Sequence, residues 1–143
     1  MISPLVSVII PCYHSEKHIR ECVDSLIAQT YANWEAIFVV DDARAGDATL
    51  TYLHSLPSTH RIRIAADTRK TSPAIARNYG VSMALGDYIA FLDADDYWYP
   101  EKLSKQVNFM ENHQKCQWCC GQATVVKGIH QYPYPISSYD NPT

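Results

Sequence analysis

Tyr88-Ile-Ala-Phe-Leu-Asp-Ala-Asp-Asp96 decides how this chain folds. An apolar run, Tyr88–Leu92, reads as a buried strand and ends abruptly in three acids, Asp93, Asp95 and Asp96. Carboxylates crowded at a strand end repel one another unless positive charge sits among them. A hard divalent cation, bound by oxygen and itself gripping phosphate oxygens, satisfies that need. Asp-x-Asp after a strand is therefore the pattern of a metal–diphosphate site. The motif is short, and its weight depends on what precedes it.

Upstream, Val6–Pro11 is a continuous apolar run, the signature of a strand covered on both faces. Ile19, Cys22, Val23, Leu26 and Ile27 follow at helical spacing. Trp34–Val40 reads as a second strand, ending in Asp41-Asp42, and Leu50, Leu53 and Leu56 as a short helix stopped by Pro57. Ile62–Ala66 is a third strand. Ser72-Pro73 is a helix start, a capping hydroxyl followed by proline. Ile75, Ala76, Tyr79, Met83 and Ala84 continue its inner face until Gly86 ends it. Pro100 opens a further helix with Leu103, Val107 and Met110 inward, and Trp118–Val126 reads as a last strand with buried thiols at Cys119 and Cys120.

Strands alternating with helices predict an α/β fold, a mainly parallel sheet with helices on both faces. Ligands of such sheets bind beyond the carboxyl ends of the strands. Pro11-Cys12-Tyr13, Asp41-Asp42 and Asp93–Asp96 all fall at such ends, so three segments are expected to converge on one crevice.

Composition narrows the function. The chain has 143 residues, enough for one domain with a core, and 47% are hydrophobic, which excludes a disordered chain. The net charge is −3 and no basic block occurs, which argues against nucleic acid as a partner. No apolar run reaches transmembrane length and the N-terminus lacks a signal-peptide layout, so a cytoplasmic protein is expected. Five cysteines, an odd number, do not suggest a disulfide scaffold. His113-x-x-Cys116-x-x-Cys119 has zinc-like spacing but lacks a second compact pair to complete four ligands. Neither G-x-G-x-x-G nor G-x-x-x-x-G-K-[ST] is present, which removes the dinucleotide and P-loop readings. A phosphoacceptor domain would need acids after the first strand, where Pro-Cys-Tyr stands instead. With only five glycines, phosphate charge must be met by something other than a glycine-rich loop.

The remaining motifs carry a family likeness. Val6-Ser-Val-Ile-Ile-Pro-Cys-Tyr13, Ser25-Leu-Ile-Ala-Gln-Thr-Tyr-Ala-Asn-Trp-Glu35, Phe38-Val-Val-Asp-Asp42, Ala76-Arg77-Asn78 and Gly86–Asp96 stand in the order and spacing of family 2 glycosyltransferases. The chain resembles the N-terminal, nucleotide-sugar-binding part of these inverting enzymes of GT-A type. The likeness implies a Rossmann-like GT-A nucleotide-diphospho-sugar transferase fold, present in part: residues 1–130 as the nucleotide-sugar-binding domain and 131–143 as an irregular tail or linker.

It also implies roles. Pro11 and Tyr13 would line the base pocket and Asp42 would hydrogen-bond the base edge, with Asp41 structural. Asp93 would lie near the ribose or metal, Asp95 would be the main ligand of Mn2+ or Mg2+, and Arg77 would buttress the site. The activity implied is transfer of a hexosyl group from a nucleoside-diphosphate sugar, UDP-sugar by expectation, to an acceptor hydroxyl with inversion. The acceptor would be a glycan or a lipid-linked intermediate of polysaccharide synthesis, which allows peripheral association with the inner face of the membrane.

Ala43-Arg44-Ala45-Gly46 departs from the family's Gly-Ser turn, His14 from its Asn, and Thr71-Ser72-Pro73 from its glycine. The catalytic base is expected beyond residue 143, because the tail holds one acid, Asp140. A non-catalytic nucleotide-sugar-binding module is the alternative. Tyr97, Trp98 and Tyr99 read as packing for the next helix, His14 and His18 as solvated, and Asp96 as either a helix cap or an aid to the metal.

Overall fold

A computed structural model describes residues 3–44, 46–57, 61–68 and 71–133. The continuous apolar runs occupy the middle of a four-stranded parallel sheet of order β3-β2-β1-β4. Strands β1 (Val6–Cys12) and β2 (Trp34–Val40) are buried throughout except for half-buried Pro11. Their partners are β3 (Ile62–Ala66) beside β2 and β4 (Tyr88–Phe91) beside β1. Val8 sits in register with Ala36 on one side and Ala90 on the other.

Helices α1 (Ile19–Ile27) and α2 (Ala48–His54) make the crossovers from β1 to β2 and from β2 to β3. Both step the same way, so right-handed crossovers put them on one face, where the Arg20 guanidinium lies 4.5 Å over the Tyr52 ring. Helix α3 (Pro73–Met83) steps back across the sheet to β4 and covers the other face. It starts as the sequence predicts: Ser72 accepts the Ile75 amide at 3.3 Å and Pro73 opens the first turn.

The inner face of α3 differs from the expectation. Ile75 and Tyr79 are 57% and 54% exposed, while Ala76 and Gly80 are buried. Small residues are chosen because α3 lies close to the sheet. A Cβ on Gly80 would stand 2.5 Å from Cγ2 of Ile9. Ile9, Ile37, Val39 and Ala76 form the core there, with Met83 and Ala84 packed against it.

Gly86 does not end α3 either. The helix stops at Met83 with Ala84 extended, and Gly86 instead lets the approach to β4 pass close to β1. A Cβ there would fall 2.7 Å from the Leu5 carbonyl oxygen and the Ser7 nitrogen.

Glu35 ties this region together from β2. Its carboxylate accepts from Ser7 Oγ at 2.6 Å, Leu85 N at 2.8 Å and Arg63 Nη1 at 3.1 Å. Arg63 also donates to the Met83 carbonyl, and the Gly86 amide donates to Ser7 Oγ at 2.8 Å. Burial pushes the Glu35 carboxyl pKa up, but these donors outweigh it and hold the group below its usual range. Gln29 does the same work at the foot of α1, donating to Tyr99 O at 2.8 Å and accepting from Leu103 N at 3.0 Å. The polar residues of the 25–35 segment are thus structural clasps.

The chain divides into two compact units, Met1–Ser104 and Lys105–Thr143. Helix α4 (Lys102–Asn112) begins two residues after Pro100 and runs across the division; Leu103 and Val107 are buried. The second unit then carries an antiparallel hairpin, β5 (Thr124–Lys127) with β6 (His130–Pro133). This corrects the strand expected over Trp118–Val126. Residues 118–123 are not in a strand, Trp118 is 77% exposed, Cys120 is exposed and Cys119 half-buried. Apolar content alone suggested the strand, and that content stands largely in solvent. Strand β6 takes up residues 131–133 of the stretch read as irregular, while 134–143, with Asp140, lie outside the described residues.

Candidate active site

Strand β1 is where the chain reverses its direction across the sheet. Its own crossover goes toward β2, while β4 returns on its other side, so the loops after β1 and β4 part and leave a crevice at the carboxyl ends. A cleft of about 470 Å³ occupies that position. Pro11, Tyr13 and His14 line it from the β1 end, Asp41 from β2, Ala76 and Arg77 from α3, and Asp93 and Asp95 from β4. The three strand ends singled out from the sequence therefore do meet.

The loop after β1 is held in place by Ser15, whose buried Oγ accepts the Tyr13 amide at 3.1 Å. His14 takes a left-handed φ of 47° and lays its ring 4.2 Å from that of Tyr13. Tyr13 is 44% exposed, an aromatic surface at the mouth of the cleft.

Asp41 and Asp42 divide their labour. Asp41 is buried, its carboxylate accepting the Thr71 amide at 2.9 Å on each oxygen, which fastens the start of α3 to the end of β2. Asp42 has a left-handed φ of 54° and turns away from the core. Arg44 grips it with Nε and Nη2, each 3.2 Å from a carboxylate oxygen, and His14 Nε2 lies 4.0 Å away. Asp41 lines the cleft, whereas Asp42 is not among its lining residues.

At the β4 end, Arg77 Nη2 donates to Asp93 Oδ1 at 2.5 Å. Arg77 therefore positions Asp93 directly. Asp95 is exposed, and the Asp96 amide closes the turn onto Asp93 O at 3.0 Å. Burial, together with the charges of Asp95 and Asp93, raises the Asp96 carboxyl pKa above its usual range. The same acids, added to burial, push the Cys22 thiol up to about 12, and burial foremost raises that of Cys12. The acid loop thus carries negative charge that Arg77 only partly offsets.

A divalent cation fits this arrangement. The described residues hold no set of three or more His, Cys, Asp or Glu groups able to enclose a metal. Asp95, with Asp93 beside it, would supply one or two oxygens and leave the rest to diphosphate and water, the habit of Mg2+ and Mn2+.

Sequence reasoning took His14 and His18 as solvated and gave Ser15 and Thr71 no role in the site; all four line the cleft. Their adjacency to the named motifs was the available signal. Of the aromatic run, only Trp98 is half-buried, with Lys102 Nζ 3.4 Å over its ring; Tyr97 and Tyr99 are 38% and 60% exposed, against the packing expected of them.

Comparison with known proteins agrees with this geometry. Residues 7–141 match the family model for glycosyl transferase family 2. The chain belongs to glycosyl transferase family 2. It is 39% identical over 106 residues to the UDP-Glc:alpha-D-GlcNAc-diphosphoundecaprenol beta-1,3-glucosyltransferase WfgD of Escherichia coli, covering 74% of this chain and 41% of that one. To the putative teichuronic acid biosynthesis glycosyltransferase TuaG of Bacillus subtilis it is 40% identical over 108 residues, 75% of this chain and 42% of that one.

Among solved structures, S. aureus TarS 1–349 in complex with UDP aligns with a TM-score of 0.70 and 29% identity, over 76% of this chain and 32% of that one. The mannosyltransferase PcManGT of Pyrobaculum calidifontis, in complex with GDP-Man and Mn2+, aligns with a TM-score of 0.68 and 25% identity, over 77% and 33%. The fold of this family 2 chain is therefore that of the GT-A glycosyltransferases. It spans less than half the length of these curated relatives.

Proposed function

We propose that this chain is the donor-binding part of an inverting glycosyltransferase that moves a hexosyl group from a UDP-sugar to an acceptor hydroxyl in polysaccharide synthesis. The observation that carries the reading is the meeting of Pro11, Tyr13, Asp41, Arg77, Asp93 and Asp95 around one cleft at the carboxyl ends of β1, β2 and β4, with Asp42 following Asp41 and 4.0 Å from His14 of that lining. Its volume of about 470 Å³ suits a nucleotide.

In this reading the base rests against Pro11 and Tyr13 with its edge toward Asp42. Asp93, steadied by Arg77, would face the ribose or the cation, and Asp95 would hold Mn2+ or Mg2+. When bound, the cation supplies Lewis-acid stabilisation of the leaving diphosphate. Asp95 and Asp93 would orient the diphosphate, and Arg77 holds Asp93 in place through its hydrogen bond.

The acceptor is a glycan or a lipid-linked sugar, a reading supported by the similarity to WfgD, a glucosyltransferase of alpha-D-GlcNAc-diphosphoundecaprenol. The site of action is the cytoplasm or the inner membrane face; no helix among the described residues is long and apolar enough to cross a membrane.

Calorimetric titration of UDP, GDP and dTDP, with manganese and then with EDTA, tests this. Metal-dependent binding of UDP in preference to the others is expected. A folded chain that binds none of them refutes the donor site.

A further inference from the structure

The donor-site reading gives no role to Arg44, which pairs with Asp42 in the loop after β2. Two guanidinium N–H groups meet the two carboxylate oxygens, each at 3.2 Å. Arg44 has five N–H donors, so about three remain, and the carboxylate keeps roughly two of its four acceptor positions. Acceptor and donor thus stand side by side. Asp42 is 11% exposed and Arg44 77%, so the pair is anchored at one end and open at the other.

Its position points to a ligand. His14 lies 4.0 Å from Asp42 and its ring 4.2 Å from that of Tyr13, so the pair stands beside the aromatic surface at the mouth of the cleft. A planar ring resting on Tyr13 would turn its edge toward an acceptor and a donor.

We propose that Arg44 is a specificity residue that reads the pyrimidine edge together with Asp42 and selects uracil over cytosine. The inference rests on the donor-site reading above. The ring N–H of uracil donates to Asp42, and the adjoining carbonyl accepts from Arg44. Cytosine has the same outline with both polarities reversed: a bare ring nitrogen would face the carboxylate, and an amino group would face the guanidinium. With ribose and diphosphate held deeper in the cleft, the base cannot slide by one atom to exchange partners.

The test is titration of UDP and CDP, with manganese, into the wild type, Arg44→Ala and Arg44→Lys. Arg44 is exposed, and the hydrogen bond it accepts through its backbone from Asp47 N, at 3.0 Å, survives substitution, so the variants fold. The wild type should prefer UDP. Arg44→Ala should lose roughly tenfold in UDP affinity, the scale of one charged hydrogen bond, with CDP little changed. Arg44→Lys should recover part of the loss as a point-charge donor.

Three results overturn the proposal. Equal UDP-to-CDP ratios in wild type and Arg44→Ala remove the reading role. A rise in UDP affinity of up to about fivefold would mean that Arg44 only masks Asp42 through an exposed ion pair. A wild type that binds neither nucleotide refutes the donor site itself, and with it this role.

Discussion

Replacing Glu35 with Gln tests whether a buried charge holds the sheet to the end of α3. The carboxylate receives three hydrogen bonds, from Ser7, Leu85 and Arg63. Glutamine keeps the shape and one acceptor oxygen, so the Ser7 and Leu85 bonds survive in weaker, neutral form. Its amide nitrogen then points a donor at the Arg63 guanidinium, and that bond is lost. Charge-assisted bonds exceed neutral ones by about 0.5–1 kcal/mol each, and the Arg63 pair, one-third exposed on the arginine side, adds no more than about 1 kcal/mol. The expected loss at pH 7 is about 2 kcal/mol, or a fall in Tm of roughly 6–8 °C for a domain of this size.

Because the folded Glu35 pKa lies below its ordinary 4.5, its stabilisation is complete above that value and fades as pH falls through the lower folded pKa. The gap between wild type and Glu35→Gln should therefore narrow from pH 5 downward. Urea unfolding followed by circular dichroism at pH 7, 5 and 3.5 measures it. A gap under about 0.5 kcal/mol at pH 7, or one unchanged at pH 3.5, refutes the argument that charge is the cause.

Three further expectations follow from the site and the core. Asp95→Ala should leave the circular dichroism spectrum intact and remove the manganese dependence of UDP binding; retained dependence in calorimetry excludes Asp95 as a ligand. Gly80→Ala places a methyl 2.5 Å from Ile9 Cγ2, so it should cost about 1–2 kcal/mol in urea midpoint analysis after a partial offset from helix propensity. With a colourimetric thiol reagent at pH 8, Cys116, Cys119 and Cys120 should react promptly and Cys12 and Cys22 only on unfolding, since burial and raised pKa values protect both.

The parallel sheet was legible because its central strands are apolar but for one polar residue each, Ser7 in β1 and Glu35 in β2. Val6–Pro11, Trp34–Val40 and Ile62–Ala66 differ from the observed strands by one residue at most. Legibility failed where size, not polarity, sets the packing. Ile75 and Tyr79 looked like the inner face of α3, yet the sheet admits only Ala76 and Gly80. Gly86 looked like a helix stop because its requirement, a close pass by Leu5 and Ser7, is made by residues about eighty positions away. At the site, strand-end acids could be found from their position alone. Their partners could not: Arg77 reaches Asp93 through the crossover geometry, and Arg44 reaches Asp42 only because the backbone turns left-handed.

Strand β4 closes one side of the sheet with just four residues, and among the described residues it pairs on the β1 side alone. Ile89 and Phe91 on it are 39% and 51% exposed. An unpaired apolar edge is a template for any extended chain that meets it. Asp87 and Asp93 stand at its two ends, but Asp87 accepts from the Leu5 amide at 2.8 Å and Asp93 from Arg77, so neither carboxylate is free to guard the edge. Edge-to-edge association through β4 should therefore grow with chain concentration and depend little on added salt.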